Sequence, residues 1–219
     1  MYVSSFGSFA IYTNAERPRY LQWRTSKTRE FFAFLHYHQG QPVLRDAILE
    51  ALWPEMEPDK AEKIFYTTSC YLRKMLKEAG LDEAFECQNG TYRLRLELFE
   101  SDERKLIHHL NRECSAGQSL QDLETMAQMY RGDYCGCEDY PWAAGKRAYY
   151  EHQIIRVLWQ MYDKYQQMRD HSKVFHVLHQ LLSIDPYHDT AQQKILEHLK
   201  TNGYQEKVSQ YYAQFQQFY

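Results

Sequence analysis

Residues 57–79 constrain the fold most, because they predict one long helix with two chemically different faces. Apolar side chains recur at three- or four-residue steps, the spacing that lines one side of an α-helix. That side carries Ala61, Phe65, Thr68, Leu72 and Leu76, widened by Ile64 and Met75. The opposite side is polar and basic, and it carries Lys63, Thr67, Cys70, Lys74 and Lys77, with Tyr66 and Arg73 on one flank and Lys60 and Tyr71 on the other.

The beginning of this helix is marked by Asp59, which is followed three residues later by Glu62. This spacing predicts a capping box, in which a side-chain oxygen accepts from a free amide and a carboxylate lies at the positive end of the helix. The outward stripe itself contains no acidic residue. We therefore expect a helix that packs through one face and offers the other to a partner.

The preceding segments predict two strands and two helices. Residues 6–12 and 20–23 are rich in β-branched and aromatic residues, which is typical of a small antiparallel sheet. A first helix is capped by Thr25 or Ser26 and continues through about His38, with Gly40 as its stop signal. A second helix covers about residues 44–53, since the residue before Pro54 avoids the helical region.

A hairpin follows the long helix. Asn89-Gly90 lies between residues 85–88 and 91–96, and this dipeptide favours a two-residue turn in which both residues take positive φ. Alternation then places Tyr92, Leu94 and Leu96 on the packed face, with Thr91, Arg93 and Arg95 on the other. The outer face would offer two guanidinium groups to phosphates.

Beyond residue 97 the sequence predicts no further strands. It predicts helices over residues 102–114, 120–130, 141–168, 172–183, 188–201 and 205–218. Six helices imply three antiparallel hairpins, and the last two recur at about the 34-residue period of tetratricopeptide repeats. In the longest helix a heptad-like spacing predicts an inward row of Ala144, Ala148, Ile155, Leu158, Tyr162 and Tyr165.

Composition favours two folded domains rather than disorder, because 44% of the 219 residues are hydrophobic and 16% are aromatic. Residues 1–96 hold 13 Lys/Arg against 12 Asp/Glu (+1), and residues 97–219 hold 13 against 17 (−4). This asymmetry predicts only modest nonspecific affinity for nucleic acid. The absence of a long apolar run or a signal-peptide pattern predicts a soluble cytoplasmic protein that does not bind membranes.

The cysteines and histidines do not form a recognisable metal pattern. Five cysteines at irregular spacing indicate reduced thiols. Cys135-Gly-Cys137 could hold a metal with Cys114 or His108, but the one-residue spacing is unlike zinc sites. The ten histidines are interpreted as surface or half-buried residues. Without a nucleotide loop or nucleophile motif, the sequence predicts neither an enzyme nor a cofactor.

Two sets of sequence motifs carry a family resemblance. The first set consists of WRTSKTREFFAFLHYHQGQPVLRDAILEALWP, followed by YLRKML and TYRLRL. This set resembles the winged-helix output domain of OmpR-type response regulators, as found in Streptomyces antibiotic regulatory proteins. The second is MYRGDYCGCEDYPWAAGKR followed by LLSIDPYHDTAQQKILEHLKTNG, which resembles the bacterial transcriptional activator domain of that family. The resemblance covers nearly the whole chain.

The resemblance implies a mainly α fold with a small β component: a winged helix-turn-helix over residues 1–97, then a tetratricopeptide-like domain of three helical hairpins over 98–219. It implies a transcriptional activator whose protomers bind direct repeats of double-stranded DNA as a homo-oligomer. The helical domain would mediate oligomerisation, contact RNA polymerase, or bind a small effector or peptide.

Within the helix of residues 57–79, the residues near its N-terminal half are expected to contact bases, while the others position the protein on phosphates. The predicted base contacts are Lys63, Tyr66, Thr67, Cys70 and Tyr71. The predicted phosphate contacts are Arg73, Lys74, Arg93 and Arg95. Arg24, Lys27 and Arg45 are further phosphate candidates, and ordinary solvated charge is the alternative for each.

Two departures from the family leave alternatives open. Related helices often carry Arg, Asn or Ser where this chain has Tyr66, Cys70 and Tyr71, which favours more apolar contacts such as thymine methyl groups. Relatives usually continue beyond these ends, which is compatible with a fragment and with an upstream receiver domain of a two-component system. The alternative function is a protein- or effector-binding scaffold whose winged helix does not contact DNA.

Overall fold

The computed structural model of the chain describes residues 1–13, 19–111, 118–201, 208–209 and 211. Two units can be distinguished. The first consists of Met1–Ile107 and Asp133–Arg147, and the second of His108–Gly132 and Ala148–Tyr219. Each unit thus combines two separate stretches of chain. The division into sequence domains near residue 97 stays a prediction.

A small sheet lies at the beginning of the first unit. Strand β1 (Tyr2–Ser4) pairs antiparallel with β2 (Ala10–Tyr12). The predicted strand over residues 6–12 is therefore wrong in its first half, where Gly7 turns the chain at φ 81°. The predicted strand over residues 20–23 is reduced to one bridge between Tyr12 and Tyr20.

Three helices and a second sheet complete this part of the first unit. Helices α1 (Ser26–Tyr37), α2 (Arg45–Leu52) and α3 (Pro58–Glu78) confirm the predicted helices to within a few residues. The Thr25 hydroxyl caps α1 by accepting from the Thr28 amide at 3.1 Å. Its side chain thereby satisfies one of the amides that the first helical turn leaves unpaired.

The predicted capping box at the beginning of α3 is wrong. Glu57 is the N-cap and makes no side-chain cap hydrogen bond, while Pro58 occupies the first turn. Proline is favoured at this position because it has no N–H group to satisfy and its φ already suits the helix. Asp59 still places a carboxylate in the first turn, and Glu62 contacts Arg45 instead of the N-cap.

The inner face of α3 packs as its periodicity predicted. Ala61, Phe65, Thr68, Leu72, Met75 and Leu76 are all buried, while Ile64 at the edge of the stripe is only partly buried. Phe65 is the centre of an aromatic cluster, with its ring centroid 5.5 Å from that of Phe31 and 4.9 Å from that of Tyr92. These edge-on contacts join α1, α3 and the following hairpin into one core.

The hairpin consists of β4 (Phe85–Gln88) and β5 (Thr91–Leu94), and its turn confirms the prediction. Asn89 and Gly90 have φ values of 51° and 74°. The sequence did not indicate β3 (Val43–Leu44), which pairs antiparallel with β5 and gives the strand order β3-β5-β4. Helix α2 thus begins directly at the hairpin, where the Arg45 amide donates to the Gly90 carbonyl oxygen at 3.1 Å.

We expect Gly90→Ala to lower the free energy of unfolding by about 1–2 kcal/mol, because an alanine at positive φ brings its Cβ close to the backbone. The new Cβ would have no other atom within 4 Å, so the effect would come from backbone strain alone. Gly145→Ala is the matched control. An added Cβ at Gly145 would likewise have no atom within 4 Å, but Gly145 lies in α6 (Ala144–Gln167), where alanine is favourable. Urea unfolding should show that this control is neutral or more stable; equal losses in both variants would contradict the strain argument.

The chain after residue 97 returns to the first sheet, contrary to the prediction that it contains no strand. Strand β6 (Glu100–Ser101) pairs parallel with β1, with Glu100 opposite Tyr2. The Asp102 carboxylate then accepts from the Ser5 amide at 2.8 Å. Because parallel pairing joins distant segments, no local pattern in the sequence indicates it.

The remaining helices are α4 (Asp102–Asn111), α5 (Leu120–Met129), α6, α7 (His171–Ile184) and α8 (Asp189–Thr201). They confirm the predicted helices in that order. The predicted helix over residues 205–218 lies almost entirely outside the described residues, and Cys114 lies wholly outside them. In the parts of the chain with described coordinates, no helix is long and apolar enough to cross a membrane.

The predicted inward row of α6 is wrong in its first half. Ala144 and Ala148 are exposed and Ile155 is only partly buried. The first turn of α6 instead directs Lys146 toward the buried carboxylate of Glu103, 2.6 Å away. The buried row begins later, and it consists of Tyr150, Ile154, Val157, Leu158, Met161, Tyr162 and Tyr165.

The Cys135-Gly-Cys137 motif forms a tight turn. Cys135 has φ 51°, and its amide donates to the Ser5 carbonyl oxygen at 2.8 Å. Burial raises the pKa of the Cys135 thiol to about 12, so the thiol is neutral. Among the residues with described coordinates, no three His, Cys, Asp or Glu side chains are grouped closely enough to hold a metal ion.

His36 departs from the predicted surface or half-buried histidines, because its side chain is fully buried. It lies beside Phe9 and Phe32, with Nδ1 at 3.4 Å from Glu103 Oε2. Burial, together with the nearby charge of Lys146, lowers the pKa of His36 to about 3. The imidazole is therefore neutral at physiological pH and belongs to the core.

Candidate nucleic-acid interface

The outward face of α3 brings the predicted contact residues of that helix together on one surface. Lys63, Thr67, Cys70, Arg73 and Lys74 are exposed, and Tyr66 retains 51% of its accessible surface. The Cys70 thiol is free. The Thr67 hydroxyl donates to the Lys63 carbonyl oxygen at 3.1 Å, which leaves its oxygen able to accept from a partner. This face presents ammonium and hydroxyl groups together with a thiol.

Tyr66 is not a free side chain on this face. Its hydroxyl donates to Glu62 Oε1 at 3.2 Å and accepts from the Arg45 guanidinium at 3.3 Å. Arg45 also forms an ion pair with Glu62. The hydrogen bond to Tyr66, followed by that to Asp46, raises the pKa of Arg45. Tyr66 and Glu62 thus connect α3 to the first residue of α2.

Tyr71, on the opposite flank of α3, is half-buried beneath Arg24. The guanidinium carbon of Arg24 lies 4.1 Å from the centroid of the Tyr71 ring, which is cation–π geometry. Lys27, the third further candidate, is engaged differently. Its ammonium donates to the Leu52 carbonyl oxygen at 2.6 Å and forms an ion pair with Glu30 at 2.7 Å. Lys27 therefore fastens α1 to the end of α2.

The two predicted phosphate contacts of the hairpin lie in an acidic cluster, formed by Glu83, Glu86 and Glu97. Arg93 is paired with Glu86 at 2.6 Å. Arg95 contacts Glu97 at 3.1 Å and Glu83 at 2.8 Å, and the hydrogen bond to Glu97, followed by the charge of Glu83, raises the pKa of Arg95. The ion pair between Arg93 and Glu86 could have been predicted from the sequence, because the two-residue turn fixes the register and places Glu86 opposite Arg93.

The second unit contains a separate candidate site, a cleft of about 380 Å³ between α5, α6 and α7. The Lys173 ammonium lies 2.9 Å from Glu124 Oε1, and Tyr165 donates to the same carboxylate. The hydrogen bond from Tyr165, followed by that from Lys173, lowers the pKa of Glu124. The cleft is lined by Glu124, Ala127, Gln128, Met161, Tyr165, Lys173, His176, Val177 and Gln180.

A comparison with known families identifies the second half of the chain. The family described as "Bacterial transcriptional activator domain" matches residues 96–218, which is more than half of the chain. The chain belongs to the bacterial transcriptional activator domain family. The matched segment begins shortly before β6 in the sequence and includes α4 to α8 as well as the residues of the cleft.

Individual relatives add a partial sequence match and a similar fold. The transcriptional regulatory protein MoaR1 is 36% identical over 58 residues in both Mycobacterium bovis BCG and Mycobacterium tuberculosis H37Rv. This alignment covers 26% of the chain and 19% of MoaR1, so the chain corresponds to a small part of that relative. Mycobacterium tuberculosis EmbR, solved in complex with a low-affinity phosphopeptide, has a TM-score of 0.71 and 19% identity; the match covers 98% of this chain and 57% of EmbR. The chain is therefore mainly helical with few strands, and it shares its fold with EmbR.

Proposed function

We propose that this member of the bacterial transcriptional activator domain family is a sequence-specific, DNA-binding transcriptional regulator of the Streptomyces antibiotic regulatory protein type. In this proposal α1 to α3 and the β4–β5 hairpin act as a winged helix, with α3 in a major groove. The single observation that carries it is the exposed face of α3, from Lys63 to Lys74, with no carboxylate in its central stripe. The MoaR1 relatives, which are regulatory by name, support the same function.

The size of the face also suits a DNA groove. Lys63 and Lys74 lie eleven residues apart on α3, which is about 16 Å along a helix. A stripe of this length can follow a major groove about 12 Å wide while its flanking charges meet the phosphates on each side. We propose that protomers assemble as a homo-oligomer on direct repeats, and that the helical domain contacts RNA polymerase to activate transcription. The protein would thus act by binding rather than by catalysis.

Selection of genomic fragments by the purified protein at about 150 mM salt tests this function. We expect enrichment of direct repeats about one helical turn apart. Recovery of unrelated fragments that disappears as salt rises would indicate only phosphate attraction and would contradict sequence-specific binding.

A matched pair of substitutions tests the assigned roles on the selected DNA. Lys63→Ala should reduce discrimination at one base position by about 1–3 kcal/mol, because it removes a base contact. Arg93→Ala should weaken specific and random DNA alike and lower the slope of log affinity against log salt by about one, because it removes a phosphate contact. Fluorescence anisotropy titrations at several salt concentrations measure both quantities. Equal losses on specific and random DNA for Lys63→Ala would contradict its role in base recognition.

The cleft supports a second candidate function, binding of a small effector or peptide by the helical domain. It combines an apolar floor, including Met161 and Val177, with the paired charges of Glu124 and Lys173. Its volume of about 380 Å³ is within the range of small-molecule sites. Thermal stabilisation by a cell extract freed of nucleic acid, with none by DNA, would favour this function over DNA binding.

A further inference from the structure

We infer that Tyr66 and Tyr71 are positioning residues, each of which holds an arginine from a neighbouring segment against the phosphates that border the groove. This inference rests on the proposed DNA-binding function. It differs from the expectation that both tyrosines contact bases. We infer instead that Arg45 and Arg24 contact the DNA phosphates, one on each side of α3.

The geometry of α3 separates the two tyrosines. At about 100° per residue, Tyr66 and Tyr71 lie about 140° apart around the helix axis, on opposite flanks of the Lys63–Lys74 stripe. They are also about 7.5 Å apart along that axis. Each flank therefore carries one tyrosine with one arginine, and the exposed stripe of α3 lies between the two pairs.

The two arginines come from the beginnings of the other two helices. Arg24 directly precedes Thr25, the N-cap of α1, and Arg45 is the first residue of α2. The backbone of Arg45 is fixed by its amide, which donates to the Gly90 carbonyl oxygen. The side chain of Arg24 is exposed, and that of Arg45 is 37% exposed. Both guanidinium groups can therefore meet a phosphate while they remain in contact with their tyrosines.

The two tyrosines hold their arginines by different chemistry. Tyr71 offers the face of its ring to Arg24, with 4.1 Å between the guanidinium carbon and the ring centroid. Tyr66 offers its hydroxyl to Arg45, at 3.3 Å, beside the ion pair that Arg45 forms with Glu62. A planar guanidinium can stack on a ring and still donate in its own plane to a phosphate. Removal of the hydroxyl should consequently matter at position 66 and have no effect at position 71.

Positioning and base contact predict different DNA-binding results. A residue that contacts a base affects one position of the DNA sequence. A residue that holds a phosphate-binding arginine affects all sequences alike and lowers the slope of log affinity against log salt, because a counterion-releasing contact is lost. In addition, loss of the tyrosine and loss of its arginine should not be additive, since both remove the same contact.

The test compares substitutions at the two flanks in the full chain. On the first flank the variants are Tyr71→Phe, Tyr71→Leu, Arg24→Ala and the Tyr71→Leu/Arg24→Ala double variant; leucine keeps apolar bulk in the half-buried site but has no ring face. On the second flank they are Tyr66→Phe, Arg45→Ala and their double variant. Affinities for a selected specific duplex and for a random duplex are measured across a salt series. Thermal unfolding midpoints identify any variant that has lost stability rather than a contact.

We expect Tyr71→Phe to bind like the wild type, while Tyr71→Leu loses affinity about 5- to 10-fold on both duplexes and lowers the salt slope by nearly one. The double variant on this flank should be no weaker than Arg24→Ala. At the other flank Tyr66→Phe should reproduce part of the loss seen in Arg45→Ala, since the ion pair with Glu62 still holds the Arg45 guanidinium. The phenylalanine variants thus act as controls for each other.

Three results would overturn the inference. The first is a change of base preference at one position with an unchanged salt slope, which would restore base contact as the role of the tyrosine. The second is additive losses in both double variants. The third is a wild type that retains neither duplex at any salt concentration, which would remove the proposed DNA-binding function as well. Only this third result would count against both, so failure of the inference alone stays distinguishable.

Discussion

Glu103→Gln is expected to lower the free energy of unfolding by about 3 kcal/mol, the largest change of stability that we predict for a single side chain. The Glu103 side chain is fully buried, and Oε1 lies 2.6 Å from the Lys146 ammonium. Its other oxygen accepts from the Gln39 side-chain amide at 2.7 Å. The substitution would leave the Lys146 side chain, which is only 20% exposed, without this counter-charge. The amide N–H group of the new glutamine would also face the donor groups of Gln39 and Lys146.

The surroundings of this ion pair allow no easy adjustment. Lys146 also donates to the Tyr37 carbonyl oxygen at 2.7 Å, and its ammonium lies 4.6 Å from the Tyr37 ring centroid. The Tyr134 hydroxyl donates to Glu103 Oε2 at 3.4 Å. His36, whose Nδ1 lies 3.4 Å from Glu103 Oε2, is neutral because burial lowers its pKa to about 3, and an imidazole has no negative charge with which to replace the lost carboxylate. Removal of one carboxylate therefore affects α1, α4 and the beginning of α6 together.

Urea unfolding followed by circular dichroism measures the effect, with Glu100→Gln as the matched control. Glu100 forms a similar ion pair with Lys105 at 2.9 Å, but the Glu100 side chain is 72% exposed. Exposed ion pairs are screened by solvent, so the control should unfold like the wild type. Addition of Lys146→Met to Glu103→Gln should recover part of the stability, since it removes the unpaired charge. Equal midpoints for Glu103→Gln and Glu100→Gln would show that burial does not strengthen this pair.

Local sequence patterns were sufficient to predict the elements of the first unit that are fixed by short-range geometry. The inner face of α3 follows from helical periodicity, and the β4–β5 hairpin follows from Asn89-Gly90. The parallel pairing of β1 with β6 could not be predicted in this way. Tyr2 and Glu100 lie opposite each other although they are far apart in the sequence, and no periodicity connects such distant positions.

The same distinction holds for the candidate interface. Helical geometry places Lys63, Thr67 and Lys74 on one surface without knowledge of the rest of the fold. The contact between Arg24 and Tyr71 depends on how α1 packs against α3, which the sequence does not specify locally. The pairing of Arg93 with Glu86 was within reach, because the register of the hairpin alone places them opposite each other.

The double substitution Lys63→Glu/Lys74→Glu is expected to weaken binding to specific and random DNA by about 100-fold or more at about 0.1 M salt. Both lysines are exposed on the outward face of α3. Loss of the phosphate contact of Lys74 costs about tenfold at this salt concentration, and the two new carboxylates, one of them in place of the base contact of Lys63, would repel the DNA backbone in addition. Neither side chain belongs to the buried face, so the free energy of unfolding should change little.

A control with the same change of net charge separates a local contact from general attraction. Lys105→Glu/Lys194→Glu alters two lysines of α4 and α8, outside the proposed interface. If the face of α3 binds DNA, fluorescence anisotropy should show a large loss for the α3 variant and little change for the control. Similar losses in both would mean that DNA responds to the overall charge of the protein, and α3 would then have no special role. Because the chain carries a formal net charge of −3, retention of DNA by the wild type and the control together would require a local surface such as this one.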